Sequence, residues 1–191
     1  MSDRATVWTI GHSNHSTATL VELLRAHRID VVADVRTSPY SSYSTQFNKD
    51  ELQLSLAEAG IRYVFLGAEL GGRPADDAMY DADERVRYDL VAASETYRAG
   101  IERLLRGAEQ YRVALLCGEE DPISCHRRRL VGRTLIERGL PLEHIRGDGS
   151  ISTEADLQAR EATEFPERFQ LTLDGPPSWR SEHPVKRRDT A

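Results

Sequence analysis

The chain has 191 residues, of which 39% are hydrophobic and 29% are charged, and its formal net charge is −6. This length suffices for one domain with a buried core, and no stretch is apolar over the roughly 20 residues that a membrane helix needs. The acidic balance argues against sequence-independent nucleic-acid binding, which requires a basic surface. Two cysteines give no disulfide framework, and the first residues lack the basic start and apolar run of a secretory signal. We therefore expect a cytoplasmic protein with reduced thiols and no membrane partner.

Apolar runs alternate with helical patterns along the chain. The first helix is expected after Ser16, a favourable N-cap residue, and loops are expected at 36–48 and 69–94. Strands are predicted at 5–12, 29–35, 61–67, 112–118 and 142–149, and further helices at 49–60, 95–110, 121–139 and 152–165. Strands that alternate with helices indicate right-handed crossovers and a mostly parallel sheet.

The predicted fold class is therefore α/β. We expect a single domain over residues 1–165, with a mostly parallel five-stranded sheet and helices on both faces, which is a Rossmann-like three-layer sandwich. Residues 166–191 are rich in Pro, Gly and mixed charge, and they are predicted to form an extended or disordered tail.

Polar side chains gather where the predicted strands end. Ligands of open parallel sheets bind beyond the carboxyl ends of the strands, so the residues that follow the strands are the natural site candidates. In chain order these are His12, Ser13, Asn14, Asp34, Arg36, Gly71, Gly72, Arg73, Cys117, Glu119, Cys125, His126 and Arg127. The topology predicts that they meet at one edge of the sheet.

The segment CGEEDPISCHRRRL, residues 117–130, contains both cysteines. If Ser124 caps the following helix, Cys125 lies at its positive end, which lowers the pKa of a thiol. If Asp121 caps it, Cys125 lies a turn further in and loses most of that effect. A packed, unreactive thiol and a catalytic thiolate are both open at this position.

Arg127 shares the apolar stripe of the same helix, four residues after Ile123. An inward-pointing guanidinium needs a carboxylate partner or a bound anion. The natural carboxylate partners are those of Asp34 and Glu119. A phosphatase-like anion loop fits poorly, because Arg127 lies ten residues beyond Cys117 and the loop between them is acidic.

Two further sets of side chains suggest other chemistries. Imidazole and thiolate groups are zinc ligands, although their spacing here matches no compact zinc motif; the candidate ligands are His12, His15, Cys117, Cys125 and His126. The loop at 36–48 offers Tyr40, Tyr43 and Phe47 to stack on a base, with Gln46 and Asn48 for polar recognition. The same aromatic residues are equally suited to anchoring the loop on the sheet.

Five ordered motifs resemble the domain-of-unknown-function family 488: TIGHSNHS, DVRTSPYS with QFN, GIRYVFLGAELGGRP, ALLCGEEDPISCHR and HIRGDG. The resemblance extends from about Thr9 to Gly149. It implies a small α/β domain with these motifs gathered in one pocket, and it implies little about the reaction. The positions carried over are Gly11, His12, Ser13, Asp34, Arg36, Gln46, Phe47, Asn48, Glu69, Gly71, Gly72, Cys117, Glu119, Cys125, His126 and Arg127.

These observations favour an enzyme that acts on an anionic or nucleotide-like small molecule. The predicted catalytic residues are His12, Asp34, Glu119, Cys125 and His126, because imidazoles titrate near neutral pH and Cys125 is a candidate nucleophile. The predicted substrate-binding residues are Ser13, Asn14, Arg36, Gln46, Asn48, Gly71, Gly72, Arg73 and Arg127. Two alternatives remain, a nucleotide or single-stranded nucleic-acid binding module and a metal-dependent enzyme. The sequence specifies neither a cofactor nor an oligomeric state.

Overall fold

The computed structural model describes residues 6–169 and 179–185. At its centre lies one six-stranded sheet, whose strands are β1 (Val7–Gly11), β2 (Val31–Asp34), β3 (Arg62–Phe65), β4 (Val113–Cys117), β5 (Leu142–Ile145) and β6 (Ile151–Thr153). The strand order is β3-β2-β4-β1-β5-β6, and only the β5–β6 pair is antiparallel. The mostly parallel α/β sheet is confirmed.

The prediction of five strands is wrong by one, because β6 was assigned to the start of a helix. The turn before β6 reverses the chain, with the Arg146 amide donating to the Ser150 carbonyl at 2.9 Å and Gly149 at a φ of +86°. The chain then runs back along β5, with Ile151 opposite Ile145. A three-residue strand has too few positions to show an alternating pattern.

The helices cover both faces of the sheet. They are α1 (Thr17–Ala26), α2 (Lys49–Glu58), α3 (Gly67–Leu70), α4 (Tyr88–Ala93), α5 (Glu95–Ala108), α6 (Arg133–Glu137) and α7 (Glu154–Glu164). The predicted N-cap is confirmed, since the Ser16 hydroxyl accepts a hydrogen bond from the Thr19 amide at 3.1 Å. The segment 69–94 is not a plain loop, because it includes α4. No helix in the described ranges is long and apolar enough to cross a membrane.

The central strand β4 shows how the two cores are divided. Leu115 packs in the core that includes Tyr97 of α5, whereas its neighbour Leu116 packs in the core that includes Leu24 of α1 and Leu52 of α2. Successive side chains of a strand point to opposite faces, so an entirely apolar strand supplies both cores. The result is the predicted three-layer arrangement.

Part of the predicted tail packs against the domain. Trp179 and Val185 lie against the core on the α5 side, and the Ser181 amide donates to the Val86 carbonyl at 2.8 Å. The remaining tail residues, 170–178 and 186–191, lie outside the described residues. The domain boundary at residue 165 stays a prediction.

Candidate functional site

The carboxyl ends of β1, β2 and β4 meet at one edge of the sheet. Gly11 pairs with Cys117 in the parallel register, and the His12 amide donates to the Cys117 carbonyl at 3.0 Å. On the other side of β4, the Val35 amide donates to the Leu116 carbonyl at 3.1 Å. The residues that follow these three strands are therefore neighbours, as their positions in the sequence predict.

Both thiols and one imidazole form a compact group at this edge. The Cys117 sulfur lies 3.7 Å, and the Cys125 sulfur 3.9 Å, from Nδ1 of His126. These three atoms all lie within 4.8 Å of one another, and both cysteines are buried and unbridged. Nε2 of His126 lies 3.0 Å from the Val35 carbonyl, which can only accept, so Nε2 carries a proton. We call Cys117, Cys125 and His126 the sulfur–imidazole cluster.

The helix that carries this cluster begins later than predicted. Helical hydrogen bonding starts at the Cys125 carbonyl, which accepts from the amides of Arg128 and Arg129, and the first turns form a π-helix over Arg127–Gly132. Both predicted caps, Asp121 and Ser124, precede this start and are wrong. The Asp121 carboxylate instead accepts from the Ile123 amide at 3.0 Å in a turn. Cys125 nevertheless lies at the positive end of the helix.

The two thiols differ in their tendency to ionise. Burial raises the pKa of Cys125, but hydrogen bonding from Cys117, the charge of Arg127 and the neighbouring His126 outweigh burial and bring that pKa well below its usual value. The pKa of Cys117 is well above its usual value, because its thiol is hydrogen bonded to Cys125 and buried. Of the two thiols, Cys125 therefore loses its proton more readily than Cys117.

Arg127 is only 1% exposed, and its acceptors carry no charge. Nε donates to the Thr9 hydroxyl at 3.3 Å, and the two terminal nitrogens donate to the backbone carbonyls of Glu119 and Glu120. The predicted carboxylate partners of Arg127 are both wrong, since Asp34 is bonded elsewhere and Glu119 contributes its carbonyl. Among the described residues no carboxylate pairs directly with this guanidinium, so its charge acts on the nearby thiols.

Asp34 and Arg36 form an ion pair beside the cluster. Asp34 is fully buried, and it accepts from Arg36 Nη2 at 2.6 Å and from the Tyr63 hydroxyl at 2.7 Å. Arg36 Nη1 lies 3.2 Å from His12 Nε2, while His12 Nδ1 lies 2.8 Å from the Ser13 carbonyl. Burial is the main cause that lowers the pKa of His12, so this imidazole is neutral at neutral pH. Tyr63 was not predicted as a site residue, and it lies on the edge strand β3.

The loop at 36–48 is held by the residues that were predicted to recognise a ligand. Phe47 is buried and stacks on His12 with ring centroids 4.3 Å apart. Gln46 donates from its side chain to the His15 carbonyl, and the Asn48 side chain accepts from the Ser41 amide. These contacts favour the loop-anchoring interpretation. Tyr40 and Tyr43 remain exposed.

The glycines after β3 lie close to the cluster. A Cβ placed on Gly72 would lie 2.7 Å from Cγ of His126, so only a residue without a side chain fits against this ring. The Arg73 amide donates to the Thr37 hydroxyl at 3.0 Å. A groove of about 300 Å³ is lined in part by Gly71 and Arg73, two of the predicted substrate-binding residues.

His15 is not part of the cluster. A Cβ on Gly147 would lie 2.7 Å from Nε2 of His15, which places this ring beside the turn after β5. Asn14 contacts the Ser13 hydroxyl at 3.4 Å on the surface. Of the five candidate metal ligands, the structure brings together Cys117, Cys125 and His126 only.

A buried chain of hydrogen bonds that passes through β1 and β5, here called the relay, was not predicted from the sequence. The Thr9 hydroxyl, which accepts from Arg127, lies 2.8 Å from His144 Nδ1, and His144 Nε2 lies 3.4 Å from the Glu154 carboxylate. Arg128 donates to the same carboxylate at 2.6 Å. Thr9 and His144 face each other across the register. Polar residues inside two apolar strands were the signal that could have revealed them.

A model of the family described as Domain of unknown function DUF488 matches residues 16–134. No match was found among curated proteins or among solved structures. The matched range includes both cysteines, His126 and the loop at 36–48, and it covers more than half of the chain. The chain therefore belongs to the DUF488 family, and of the five motifs the match leaves out HIRGDG and all of TIGHSNHS except Ser16.

Proposed function

We propose that this protein is a cytoplasmic enzyme that acts on an anionic or nucleotide-like small molecule, with the sulfur–imidazole cluster as its reactive centre. The observation that carries the proposal is the position of this cluster. Two thiols and an imidazole meet at the carboxyl-terminal edge of a parallel sheet, where ligands of such sheets bind.

The charge of Arg127 supports both the chemistry and the substrate class. A buried guanidinium whose acceptors are all uncharged leaves a positive potential at the strand ends. That potential stabilises a thiolate on Cys125 and attracts an incoming anion. The positive end of the helix that begins at Cys125 adds to the same field.

The other predicted site residues have distinct proposed roles. Cys125 is the reactive thiol, and Nδ1 of His126 faces both sulfurs. Arg36 and the neutral imidazole of His12 form one side of the proposed site. Asp34 holds the Arg36 guanidinium in place through a hydrogen bond. Glu119 contributes a carbonyl that holds Arg127. The groove beside Gly71 and Arg73 is the proposed binding place of the substrate.

Alkylation rates test this proposal before any substrate is known. In chelator-treated protein we expect anionic iodoacetate to modify Cys125 faster, relative to neutral iodoacetamide, than it modifies free cysteine, because the local potential favours an anion. Cys125→Ser is expected to abolish the fast reaction. Cys117→Ser leaves Cys125 as the only cysteine and so identifies the modified thiol, and His15→Asn, which lies outside the cluster, is the matched control and is expected to retain the fast reaction.

Protection of Cys125 from alkylation by added anions then tests the proposed class of substrate. Inorganic phosphate and adenosine monophosphate are expected to slow the reaction of iodoacetate with Cys125 in a saturable way. An iodoacetate preference no greater than that of free cysteine, together with no protection by either anion, would overturn the proposal.

A further inference from the structure

We infer that Cys117, Cys125 and His126 are three ligands of a zinc ion whose fourth position is open. The inference deepens the proposed function, because it rests on the sulfur–imidazole cluster being the reactive centre and names the cofactor of that centre. It rests on the positions of the ligand atoms and on the hydrogen bond that orients His126.

The two sulfur–nitrogen separations in the cluster are close to those of a tetrahedral site. Zinc binds thiolate sulfur at about 2.3 Å and imidazole nitrogen at about 2.0–2.1 Å, so a tetrahedral angle places sulfur and nitrogen roughly 3.6 Å apart. The two observed sulfur–Nδ1 distances are 3.7 and 3.9 Å. An ion would fit between the three atoms with only small movements of the side chains.

The second ring nitrogen of His126 is held as in known metal sites. Histidines that bind a metal usually donate the N–H of the other nitrogen to a carbonyl or carboxylate, which fixes the tautomer and the direction of the ring. Here Nε2 donates to the Val35 carbonyl, so the lone pair of Nδ1 points to the sulfurs. Gly72 lies against the ring and allows this placement.

The donor set determines the kind of metal. Two thiolates and an imidazole suit zinc and exclude magnesium and calcium, which bind oxygen ligands. Two thiolates also neutralise the double charge of the ion, so zinc adds no net positive charge beside Arg127.

Within the described ranges no fourth His, Cys, Asp or Glu has a ligand atom in this group. Structural zinc sites use four protein ligands, whereas catalytic sites use three and leave the fourth position for water or substrate. The cluster therefore has the composition of a catalytic site, in which the ion supplies a Lewis acid at the edge of the sheet.

Cobalt(II) is a direct probe of this site. We expect chelator-treated full-length protein to bind a single cobalt ion per chain with intense thiolate-to-cobalt charge-transfer absorption, and zinc to displace it. Cys117→Ser, Cys125→Ser and His126→Asn are each expected to weaken binding by roughly tenfold or more. His15→Asn is the matched control, since His15 lies outside the cluster, and it is expected to bind like the wild type.

A second measurement guards against variants that fail to fold. Zinc added to the wild-type protein is expected to slow alkylation of Cys125 at one equivalent, because the bound thiolate is shielded. Absence of the charge-transfer band, with no effect of zinc on alkylation, would overturn the inference. If Cys125 still prefers iodoacetate in that case, the proposed function stands without the metal. If the metal signals and the iodoacetate preference of Cys125 are all absent, both the zinc site and the proposed function are overturned.

Discussion

Two adjacent arginines, Arg127 and Arg128, point into two differently charged regions. Arg127 donates only to uncharged oxygens, whereas Arg128 donates to the carboxylates of Glu154 at 2.6 Å and Glu161 at 2.7 Å. Both guanidinium groups are buried. The two arginines therefore differ in the charge of their partners and not in their burial. Arg128 is neutralised by carboxylates and supports the fold, whereas the charge of Arg127 is not neutralised and sets a positive potential at the site.

The relay through Thr9 and His144 connects these two regions. It begins at Arg127 and ends at the carboxylate of Glu154 that Arg128 also holds. Arg128 thus helps to hold Glu154, the last residue of the hydrogen-bond chain that begins at Arg127.

The largest effect is expected from Arg128→Met. This change leaves Glu154 with His144 as its remaining partner and Glu161 with Arg129 and Arg168, and removing one partner of a buried pair costs up to about 3–5 kcal/mol. Urea denaturation measures the loss in the free energy of unfolding. The matched control is Arg133→Met, which breaks an exposed pair with Glu137 and is expected to cost less than about 1 kcal/mol. Equal losses for the two variants would contradict the assignment of Arg128.

The second effect is a pH dependence from Glu154. Burial raises the pKa of this carboxyl, but hydrogen bonds and charges from His144 and Arg128 outweigh burial and lower it to about 2. The unfolded value is about 4.3, so the stabilisation is complete above that pH and is lost as pH falls toward 2. After allowance for partial exposure, we expect a loss of about 2 kcal/mol in this window.

Glu154→Gln isolates this contribution. The stability of the variant, measured by urea denaturation between about pH 5 and pH 2, is expected to fall less steeply than that of the wild type. Glu137→Gln, which removes an exposed carboxylate, is expected to keep the steep slope. Parallel curves for wild type and Glu154→Gln would show that this carboxyl has no lowered pKa.

The relay is expected to contribute less. Thr9→Val removes the hydroxyl that Arg127 and His144 share, and a buried polar group left unsatisfied costs about 1–3 kcal/mol. Thr9→Ser keeps the hydroxyl, so its free energy of unfolding should remain closer to the wild type. The relay would be unsupported if the serine variant were as destabilised as the valine variant.

At Gly72 the expected effect is on metal affinity. Gly72→Ala places a Cβ 2.7 Å from the His126 ring, so the ring must shift and cobalt affinity should fall. Gly107→Ala is the control in α5, where an added Cβ meets nothing within 4 Å, and helix propensity favours alanine by about 1 kcal/mol. Equal cobalt affinity in both variants would contradict the contact between Gly72 and His126.

The sequence predicted the parts of this molecule that depend on local pattern. Apolar runs located the five parallel strands, and their carboxyl ends located the residues around Cys117. The late helix start was not predictable, because the Asp121-Pro122 signal is strong locally, whereas a turn places the Cys125 amide on the Pro122 carbonyl. The partners of Arg127 were missed for a related reason, since backbone carbonyls give no residue-specific signal.

The most direct test compares the two arginines at the thiol itself. The rate of Cys125 alkylation by iodoacetate is measured in metal-free Arg127→Met and Arg128→Met, both confirmed as folded by circular dichroism under the conditions used. We expect a drop of about tenfold or more for Arg127→Met and a much smaller change for Arg128→Met, because of the two arginines only Arg127 lacks a neutralising carboxylate. Equal rates in the two variants would contradict the claim that Arg127 sets the potential at the sulfur–imidazole cluster.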